Sequence, residues 1–310
     1  MRNEMLFIVG CARTGSTLLR QILNHHERLC LASETHFLRR WSATGRDRRI
    51  VRFGDLRQDA NVGRLVAALY SDAATPKTGY WGWLKSTVAP QLFERRILAT
   101  DRSDRAIFQT MLEIFAEAKK GAYGEELILG EKTPAHLYSV PTLFQWFPRT
   151  KVIHTFRDPR GIFVSTLKRM QTGNWGLRAR YPQLPRAITD PLINPLTVLF
   201  TTQTWLDAAR LHARYQQAYR DRYMLLRFED LISDPERHVR AICTFLGVPY
   251  EPRMIDEVVV VSSSYREQRR GPSGFDTQSV SRWRTHIDPM TRAWFSVLGR
   301  KHLKNFGYLP

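Results

Sequence analysis

The 310-residue sequence contains little cysteine and no apolar run long enough to span a bilayer. Its cysteines, Cys11, Cys30 and Cys243, are odd in number and lack metal-type spacing, which argues against a disulfide framework and a zinc site. We therefore expect reduced thiols and a cytoplasmic protein. The opening MRNEMLFIVG carries Glu4 and is too short for a signal peptide, so we expect it to form a first strand.

Acidic residues are scarce relative to basic ones, with 29 Asp and Glu against 47 Lys and Arg and a net charge of +18. Such a charge attracts polyanions: nucleic acid, an acidic membrane surface, an anionic polymer or a highly charged nucleotide. The sequence has no zinc-finger or RNP-type signature, so we expect no specific nucleic-acid partner. A solvated basic surface without a specific partner remains an alternative.

The pattern of apolar residues predicts an α/β fold. Strand-length apolar runs occur at 5–10, 126–130, 151–156 and 222–228. Helical patterns follow at 16–26, 161–170 and 234–247. Uninterrupted apolar strands that alternate with helices are typical of a parallel sheet covered on both faces. We predict a single three-layer domain, residues 1–310, with a central, mostly parallel sheet.

Three regions interrupt this alternation. Residues 38–125 have helical, Trp-bearing sequence, which predicts a helical insertion or cap after the first βα unit. Residues 171–195 are rich in Pro, Gly and Arg, and residues 262–282 are polar around GPSG. Long irregular loops in a compact domain are usually functional lids or disordered segments, so the last two regions are candidate lids, with disorder as the alternative.

The segment CARTGST, which follows the first predicted strand, nearly matches the phosphate loop G-x-x-x-x-G-K-[ST]. Gly10, Gly15 and Thr17 fit the pattern, but Ser16 replaces its lysine and Arg13 is the only cation in the loop. Backbone N–H groups and the following helix N-terminus would bind an anion here. The missing lysine and the absence of a convincing Walker B carboxylate disfavour Mg-assisted phosphoryl transfer.

A second predicted anion site lies in HTFRDPRGIFVSTLKRM. Arg157 follows a strand, and Ser165 and Arg169 lie one turn apart on the next helix. An arginine beside these two side chains is typical of a phosphate clamp. Two anion sites at two strand ends indicate a nucleotide with phosphates at both ends. A surface ion pair between Arg157 and Asp158 is the alternative.

Four ordered blocks of the chain resemble the sulfotransferases that use 3′-phosphoadenosine 5′-phosphosulfate (PAPS). CARTGSTLL is similar to the 5′-phosphosulfate loop, and FRDPRGIFVS is similar to the 3′-phosphate motif. LLRFEDLISDPE resembles a third block, with Phe228 where tyrosine is frequent, and SVSRWR resembles the segment that closes over the nucleotide. The closest resemblance is to heparan-type carbohydrate and tyrosylprotein sulfotransferases, in a bacterial-type soluble form.

The resemblance implies a P-loop-like sulfotransferase fold with PAPS as co-substrate, 3′-phosphoadenosine 5′-phosphate (PAP) as product and no metal. In this resemblance Arg13 neutralises charge on the leaving 5′-phosphate. The nucleotide-binding residues it implies are Arg13, Thr14, Gly15, Ser16, Thr17, Arg157, Ser165, Arg169, Phe228 and Arg282.

The resemblance also implies a general base. Glu34 in LASETHFL matches the position at which the carbohydrate and tyrosylprotein enzymes use a glutamate, and Lys132 in GEKTPAHL matches their sulfonate-binding lysine. We therefore expect Glu34 to act as base and Lys132 to stabilise the sulfonate. His136 is an alternative base, two residues later than the histidine of the cytosolic small-molecule enzymes. A helix-capping Glu34 and an exposed strand-end Lys132 are the structural alternatives.

The expected acceptor is a hydroxyl group of a carbohydrate, a peptide tyrosine, or a metabolite or lipid alcohol, and the basic charge favours an acidic acceptor. Trp81, Trp83, Trp175 and Tyr181 line either an acceptor site or the core. Two other functions remain open, a small-molecule P-loop kinase and a non-catalytic polyanion-binding protein. The sequence does not determine the oligomeric state.

Overall fold

The computed structural model describes residues 4–38, 53–71, 79–121, 124, 126–171, 183–258 and 275–309. The chain divides into two compact units that are each built from separate stretches of sequence. Unit 1 comprises Met1–Gly10 and Leu19–Ile153, and unit 2 comprises Cys11–Leu18 and His154–Pro310. The glycine-rich loop therefore belongs to unit 2, although β1 (Met5–Gly10), which precedes it, belongs to unit 1. A single domain over residues 1–310 stays a prediction.

The described strands form one five-stranded sheet, which matches the predicted α/β class. After β1 the strands are β2 (Leu29–Ala32), β3 (Ile128–Lys132), β4 (Lys151–Phe156) and β5 (Tyr223–Arg227). Their order in the sheet is β2-β3-β1-β4-β5. Strand β3 pairs in parallel with β1 and with β2, with Met5 opposite Leu129 and Cys30 opposite Leu129 in the two registers. The carboxyl ends of these three strands therefore lie at the same edge, where the segment after β2 and the end of β3 carry the predicted catalytic residues.

Unit 1 adds helices to this sheet. Helix α1 (Ser16–Asn24) begins in unit 2 and continues into unit 1, and a 3₁₀ turn covers Pro134–Ser139. The remaining described helices of unit 1 are α2 (Asp59–Tyr70), α3 (Gly79–Thr87), α4 (Pro90–Leu98), α5 (Asp104–Lys120) and α6 (Val140–Trp146). Four of them, α2 to α5, lie between β2 and β3, in the stretch predicted to be a helical insertion.

Unit 2 is helical around β4 and β5. Helices α7 (Pro159–Gln171) and α8 (Arg186–Ala218) are the longest of the described part of this unit. The others are α9 (Phe228–Ser233), α10 (Pro235–Leu246), α11 (Arg253–Asp256), α12 (Gln278–Ser281), α13 (Trp283–His286), α14 (Pro289–Leu298) and α15 (Arg300–Asn305). Helix α10 has the predicted ends, since Asp234 accepts from the Arg237 N–H and Gly247 closes it in the left-handed conformation.

The core of unit 1 is aromatic. The Phe108 ring stacks on Phe7 of β1 and on Phe37, with centroids 5.8 Å and 5.0 Å apart, and its edge faces His136. Phe37 follows β2 in the segment that carries Glu34. Its stacking on Phe108 of α5 therefore holds that segment in place. Aromatic pairs of this kind stabilise a core by roughly 0.5–1.5 kcal/mol beyond the area they bury.

Two elements differ from the sequence predictions. Strand β2 was not predicted, because a run as short as LCLA has no diagnostic periodicity. It lies at the end of the described sheet, where Asn24 donates to the Leu31 carbonyl (2.9 Å) and accepts from the Leu31 N–H (2.7 Å). The Asn24 side chain thus satisfies backbone groups that an edge strand leaves open.

The second difference concerns residues 171–195, which were predicted to be an irregular loop. Residues from Arg186 onward are the start of α8, and Pro191 and Pro195 lie inside this helix. Both prolines are exposed, and so is Ala187, whose carbonyl loses its N–H partner to Pro191. Residues 172–182 lie outside the described residues, as do residues 262–274 of the other predicted lid.

Candidate functional site

In unit 2 the glycine-rich loop adopts a conformation that needs glycine at position 15. Gly15 has φ +82°, and a Cβ at this position would lie 2.4 Å from Cδ2 of Phe228. Arg13 is also left-handed, with φ +70°, which is uncommon for a residue with a long side chain. We use the term loop cluster for Cys11–Leu18 together with Arg157, Ser165 and Phe228.

The side chains of the loop cluster connect its two predicted phosphate sites. Arg13 Nε donates to Ser165 Oγ of α7 at 2.9 Å. Thr14 Oγ1 donates to the Cys11 carbonyl at 2.8 Å and lies 2.7 Å from Thr155 Oγ1, so its hydroxyl is already engaged by protein groups. Ser16 and the exposed Thr17 form the first turn of α1, where N–H groups favour anions.

Arg157 is almost completely buried, with 8% of its surface exposed. Its Nη1 donates to the Arg13 carbonyl (3.1 Å) and its Nη2 to the Ser279 carbonyl (2.7 Å), while its guanidinium lies 4.1 Å from the Phe228 ring centroid. Its Nε is buried without a hydrogen-bond partner. Burial lowers the pKa of Arg157, and the nearby Glu229 carboxylate opposes the shift. The arginine therefore braces the loop and keeps one donor unused.

Gly161 makes room for this arginine, because a Cβ there would lie 2.9 Å from Arg157 Nε. The alternative of an ion pair between Arg157 and Asp158 is wrong, because Asp158 pairs with Arg160 instead, at 2.6 Å. Burial raises the pKa of Glu229, whose carboxylate accepts from the Asp158 N–H at 3.0 Å. The residues around Arg157 thus satisfy their charges among themselves.

The remaining predicted nucleotide residues of unit 2 occupy the following places. Arg169 lies on α7, one turn after Ser165, and is partly buried. Arg282 Nη2 donates to Asp276 Oδ2 at 2.8 Å, and its charge contributes to lowering the pKa of Arg157. Arg282 therefore lies in the electrostatic neighbourhood of Arg157.

Cys11 is not a nucleophile in this structure. Its thiol is buried and donates to the Thr204 carbonyl at 3.2 Å. Burial raises the pKa of Cys11 to about 12, which keeps the sulfur protonated at neutral pH. The Cys11 side chain is therefore a buried, protonated thiol that packs within unit 2.

The second set of predicted site residues lies in unit 1, where Glu34, Lys132, His36 and Arg20 form what we call the carboxylate cluster. Lys132 Nζ donates to Glu34 Oε1, and His36 Nε2 lies 3.0 Å from Glu34 Oε2. The Glu34 side chain is 36% exposed and that of Lys132 is 6% exposed. Lys132 is therefore a buried strand-end cation, and Glu34 keeps access to solvent.

These neighbours control the charge of Glu34. Burial alone would raise its pKa, but the His36 hydrogen bond and the Lys132 charge outweigh burial and lower the pKa to about 2. Burial lowers the pKa of Lys132, and Glu34 opposes that shift while Arg20 adds to it. Arg20 Nη1 lies 3.4 Å from the Leu31 carbonyl, and its buried Nε has no hydrogen-bond partner. The cluster thus holds an ionised carboxylate among cations.

A buried pair lies behind this cluster. Glu131 and His136 are 0% and 1% exposed, and Glu131 Oε1 pairs with His136 Nδ1. His136 Nε2 accepts from the Leu38 N–H at 3.0 Å, and Glu131 Oε2 accepts from the Thr35 N–H at 3.2 Å. Both nitrogens of His136 are therefore engaged, and the pair fixes the backbone on either side of His36.

The aromatic residues proposed to line an acceptor site have different positions. Trp81 is buried and donates from Nε1 to the Thr35 carbonyl at 2.8 Å, so it supports the segment that carries Glu34. Trp83 packs on Phe115 with ring centroids 4.6 Å apart. Trp175 and Tyr181 lie outside the described residues.

Sequence reasoning missed three members of this unit: His36, Arg20 and Glu131. His36 lies two residues after Glu34. Its φ of +51° turns its ring back toward the Glu34 carboxylate. A signal for Arg20 exists, since it lies one helical turn before Asn24, which binds β2. No sequence signal distinguishes buried Glu131 from an ordinary strand-end carboxylate.

Comparison with known proteins identifies the family. The model of the sulfotransferase family matches residues 6–252. The omega-hydroxy-β-dihydromenaquinone-9 sulfotransferase of Mycobacterium tuberculosis is 26% identical over 275 residues, which cover 80% of this chain and 65% of that protein. The protein-tyrosine sulfotransferase of Drosophila melanogaster is 25% identical over 252 residues, 81% of this chain and 39% of that protein. The chain thus spans under two thirds of these relatives.

Solved structures agree at the level of the fold. The sulfotransferase domain of the Synechococcus PCC 7002 olefin synthase has a TM-score of 0.60 at 21% identity. The match covers 99% of this chain and 96% of that chain. The sulfotransferase domain from the curacin biosynthetic pathway has a TM-score of 0.53 at 18% identity, with coverages of 96% and 97%. With a matching family model over most of its length and this fold, the chain belongs to the sulfotransferase family.

Proposed function

We propose that this protein transfers a sulfonate group from PAPS to a hydroxyl group of an acceptor, with Glu34 as general base and no metal. The observation that carries the proposal is the contact between Arg13 and Ser165, together with the hydrogen bond from Arg157 to the Arg13 carbonyl. These residues were assigned to two phosphates from separate blocks of sequence, and they meet within unit 2.

The loop cluster fits a dianionic or more highly charged nucleotide. It combines two arginines, the hydroxyls of Ser16 and Thr17 and the first turn of a helix, all of which favour phosphate oxygens. The unused Nε of Arg157 is a buried donor for which a phosphate oxygen is a natural partner. The chemistry supplied by PAPS is an activated sulfonate whose S–O bond to the 5′-phosphate breaks as a bond to the acceptor oxygen forms.

The carboxylate cluster fits the role of base. Glu34 is ionised at neutral pH and partly exposed, so it can accept the proton of an acceptor hydroxyl. Its present pKa of about 2 makes it a weak base, because His36 and Lys132 stabilise its negative charge. When Lys132 contacts the transferring sulfonate, its charge is shared and the pKa of Glu34 rises. The carboxylate then becomes a stronger base as the sulfonate is engaged.

The burial of His136 favours Glu34 over His136 as base. A general base must reach the proton that it abstracts, and His136 is 1% exposed with Nδ1 and Nε2 both engaged. We assign His136 and Glu131 to the support of the backbone around Glu34.

The acceptor in this proposal is a lipid or metabolite alcohol, a peptide tyrosine or a carbohydrate hydroxyl. Relatives named for a menaquinone derivative and for protein tyrosine support the first two classes, and carbohydrate sulfotransferase 1 of Danio rerio, 29% identical over 117 residues, supports the third. A glutamate base, rather than histidine, supports acceptors other than simple phenols.

Incubation with labelled PAPS and one representative of each acceptor class tests the proposal. We expect a mass gain of one sulfonate on a representative of one class, and release of PAP with it. No sulfonate transfer to any representative, in the presence of protein that binds PAP, contradicts the proposal in favour of a non-catalytic anion-binding protein.

A thermal-shift titration separates the proposal from the kinase alternative. PAP should raise the melting temperature without added metal, because Arg13 and Arg157 supply the positive charge. ATP with Mg²⁺ should have a smaller effect, since the loop lacks the phosphate-loop lysine. A larger stabilisation by ATP with Mg²⁺ contradicts the assignment.

A further inference from the structure

Helix α8 of unit 2 has an inverted distribution of side chains over its first half. Thr189, Thr197 and Thr201 are buried beside Ile193, whereas most of the other large apolar side chains in this half of the helix face solvent. Thr197 is 0% exposed and Leu199 is 53% exposed. A helix that served only the core would bury its leucines and expose its threonines. The inversion indicates that the exposed stripe has a partner of its own.

The stripe continues onto a second helix. Large side chains spaced three or four residues apart share one face of a helix. On α8 the exposed ones are Ile188, Leu192, Leu196, Leu199 and Phe200. On α14 they are Met290, Trp294, Val297 and Leu298. We call these nine residues the apolar face.

The two halves of the apolar face are neighbours within unit 2. Trp294 Nε1 of α14 donates to Thr202 Oγ1 of α8 at 3.0 Å. Beneath them a buried cluster of Phe163, Trp283 and Phe295 packs against Val198 of α8, so the two helices rest on a common core. The apolar face is therefore a surface of fixed shape rather than a set of scattered residues. Patches of this kind mark protein or membrane contact sites.

The charge around the apolar face selects its partner. Helices α14 and α15 carry four cations, Arg292, Arg300, Lys301 and Lys304, and one carboxylate, Asp288, caps the start of α14. The first half of α8 adds Arg186 and Asp190, so cations outnumber carboxylates five to two, and all seven are exposed. Two copies of this face brought together would place like charges side by side, on proteins that each carry a net charge of +18. An anionic lipid surface instead offers hydrocarbon to the leucines and phosphates to the cations.

We propose that the apolar face docks this protein onto the surface of an anionic lipid bilayer. Leucine, methionine and tryptophan side chains enter the headgroup boundary, where tryptophan is favoured, and the cations of α14 and α15 contact lipid phosphates. The helices lie on the membrane, and no described helix is long and apolar enough to cross it. The inference concerns a surface and does not depend on sulfonate transfer.

Co-sedimentation with lipid vesicles tests this inference. The full chain should sediment with vesicles of phosphatidylcholine and phosphatidylglycerol, and much less with phosphatidylcholine alone, since the surface potential of the anionic lipid adds to apolar burial. The double variant Leu192→Ser/Leu196→Ser should lower the partition coefficient about tenfold by removing apolar area. Leu92→Ser on α4, equally an exposed leucine, is the matched control and should bind as the parent chain does.

Three results overturn the proposal. The first is the absence of sedimentation with anionic vesicles. The second is binding by the double variant equal to that of Leu92→Ser, which would assign the binding to charge alone. The third is a dimer seen by sedimentation velocity that the double variant abolishes, which would assign the face to a second copy. Unchanged circular dichroism and melting temperature in each variant confirm that the comparison is between folded proteins.

Discussion

The loop cluster and the carboxylate cluster hold their charges in different ways. In the loop cluster Arg157 donates to two neutral backbone carbonyls, and Arg13 Nε donates to the Ser165 hydroxyl. In the carboxylate cluster Lys132 and His36 contact the charged oxygens of Glu34 directly. A neutral acceptor orients a cation without cancelling its charge, whereas a carboxylate cancels it.

This difference in hydrogen-bond acceptors indicates that the loop cluster is the one suited to bind an external anion. Because Arg157 is held by carbonyl oxygens, it keeps its positive field, which attracts a phosphate. Lys132 must exchange part of its bond to Glu34 before it helps another group. We therefore expect changes in the loop cluster to act on nucleotide affinity and changes in the carboxylate cluster to act on turnover.

The largest expected effect is on turnover. Glu34→Gln keeps the size and one polar contact to Lys132 but cannot accept a proton. The single-turnover rate with labelled PAPS should fall by about two to four orders of magnitude. PAP affinity, measured by calorimetry, should stay within about twofold, because glutamine retains the packing and unit 2 keeps its arginines.

Glu126→Gln is the control for this change. The Glu126 side chain is 82% exposed and pairs loosely with Arg28 at 3.7 Å, so turnover should not change. Near-normal turnover in Glu34→Gln, with a collapse in His136→Ala that retains its fold, would move the role of base to His136.

The next effect is on nucleotide affinity. Arg157→Ala should weaken PAP binding about tenfold or more, because a charge-assisted contact contributes roughly 1.5–3 kcal/mol. Adenosine 5′-phosphosulfate lacks the 3′-phosphate and should lose less, through the broken contact to the Arg13 carbonyl alone. Calorimetry on both nucleotides measures the difference.

Arg237→Ala, an exposed arginine on α10, serves as control and should bind both nucleotides normally. Equal losses for the two nucleotides in Arg157→Ala argue against a contact between Arg157 and the 3′-phosphate and leave it a brace for the loop.

The pH profile tests how the carboxylate cluster sets the basicity of Glu34. Its folded pKa of about 2 lies below the ordinary value of 4.5, so ionisation is lost, and with it this contribution to stability, only as pH falls toward 2. His36→Asn removes the imidazole that contacts Glu34 Oε2, and asparagine tolerates the left-handed φ of this position. The pKa of Glu34 should rise, and the acid limb of kcat/KM should move up by about one pH unit.

His238→Asn on α10 is the matched control, since His238 hydrogen-bonds to the Asp234 carbonyl in unit 2. The acid limb of the kcat/KM profile of His238→Asn should coincide with that of the parent enzyme. An unmoved limb in His36→Asn means that His36 does not stabilise the Glu34 carboxylate in solution.

The smallest expected effect comes from Ser165→Ala. The change removes the hydroxyl that orients Arg13 but leaves both arginines in place, so PAP affinity should fall only about two- to fivefold, as for one neutral hydrogen bond. Ser233→Ala, whose hydroxyl caps the Asp230 carbonyl, should leave PAP affinity unchanged. A loss as large as that of Arg157→Ala would indicate that Ser165 itself contacts phosphate.

Much of the fold could be predicted from sequence. Strands β1, β3, β4 and β5 are apolar runs of adequate length, and α10 has an explicit cap and a closing glycine. The prediction of an irregular loop up to residue 195 was wrong, because Pro191 and Pro195 are ordinarily signals against a helix. Tertiary packing of Thr189, Ile193 and Thr197 overrides that local preference.

The candidate site was less accessible to sequence reasoning. Glu34, Lys132, Arg13 and Arg157 are recognisable because each lies in a block with a characteristic neighbour pattern. His36 is not, because its contact with Glu34 depends on a left-handed backbone that the sequence does not specify. The support from Glu131 depends on burial and on chain return across residues far apart in sequence.

The glycine-rich loop also determines how its amides exchange with solvent hydrogen. Thr14 contacts Thr155 and Gly15 packs on Phe228, so the loop is attached to unit 2 although β1 of unit 1 precedes it directly. Local unfolding proceeds in units of mutual contact rather than in order of sequence. With PAP bound, when phosphate oxygens would accept from these N–H groups, the amides of Thr14 to Thr17 should therefore exchange with unit 2 rather than with β1.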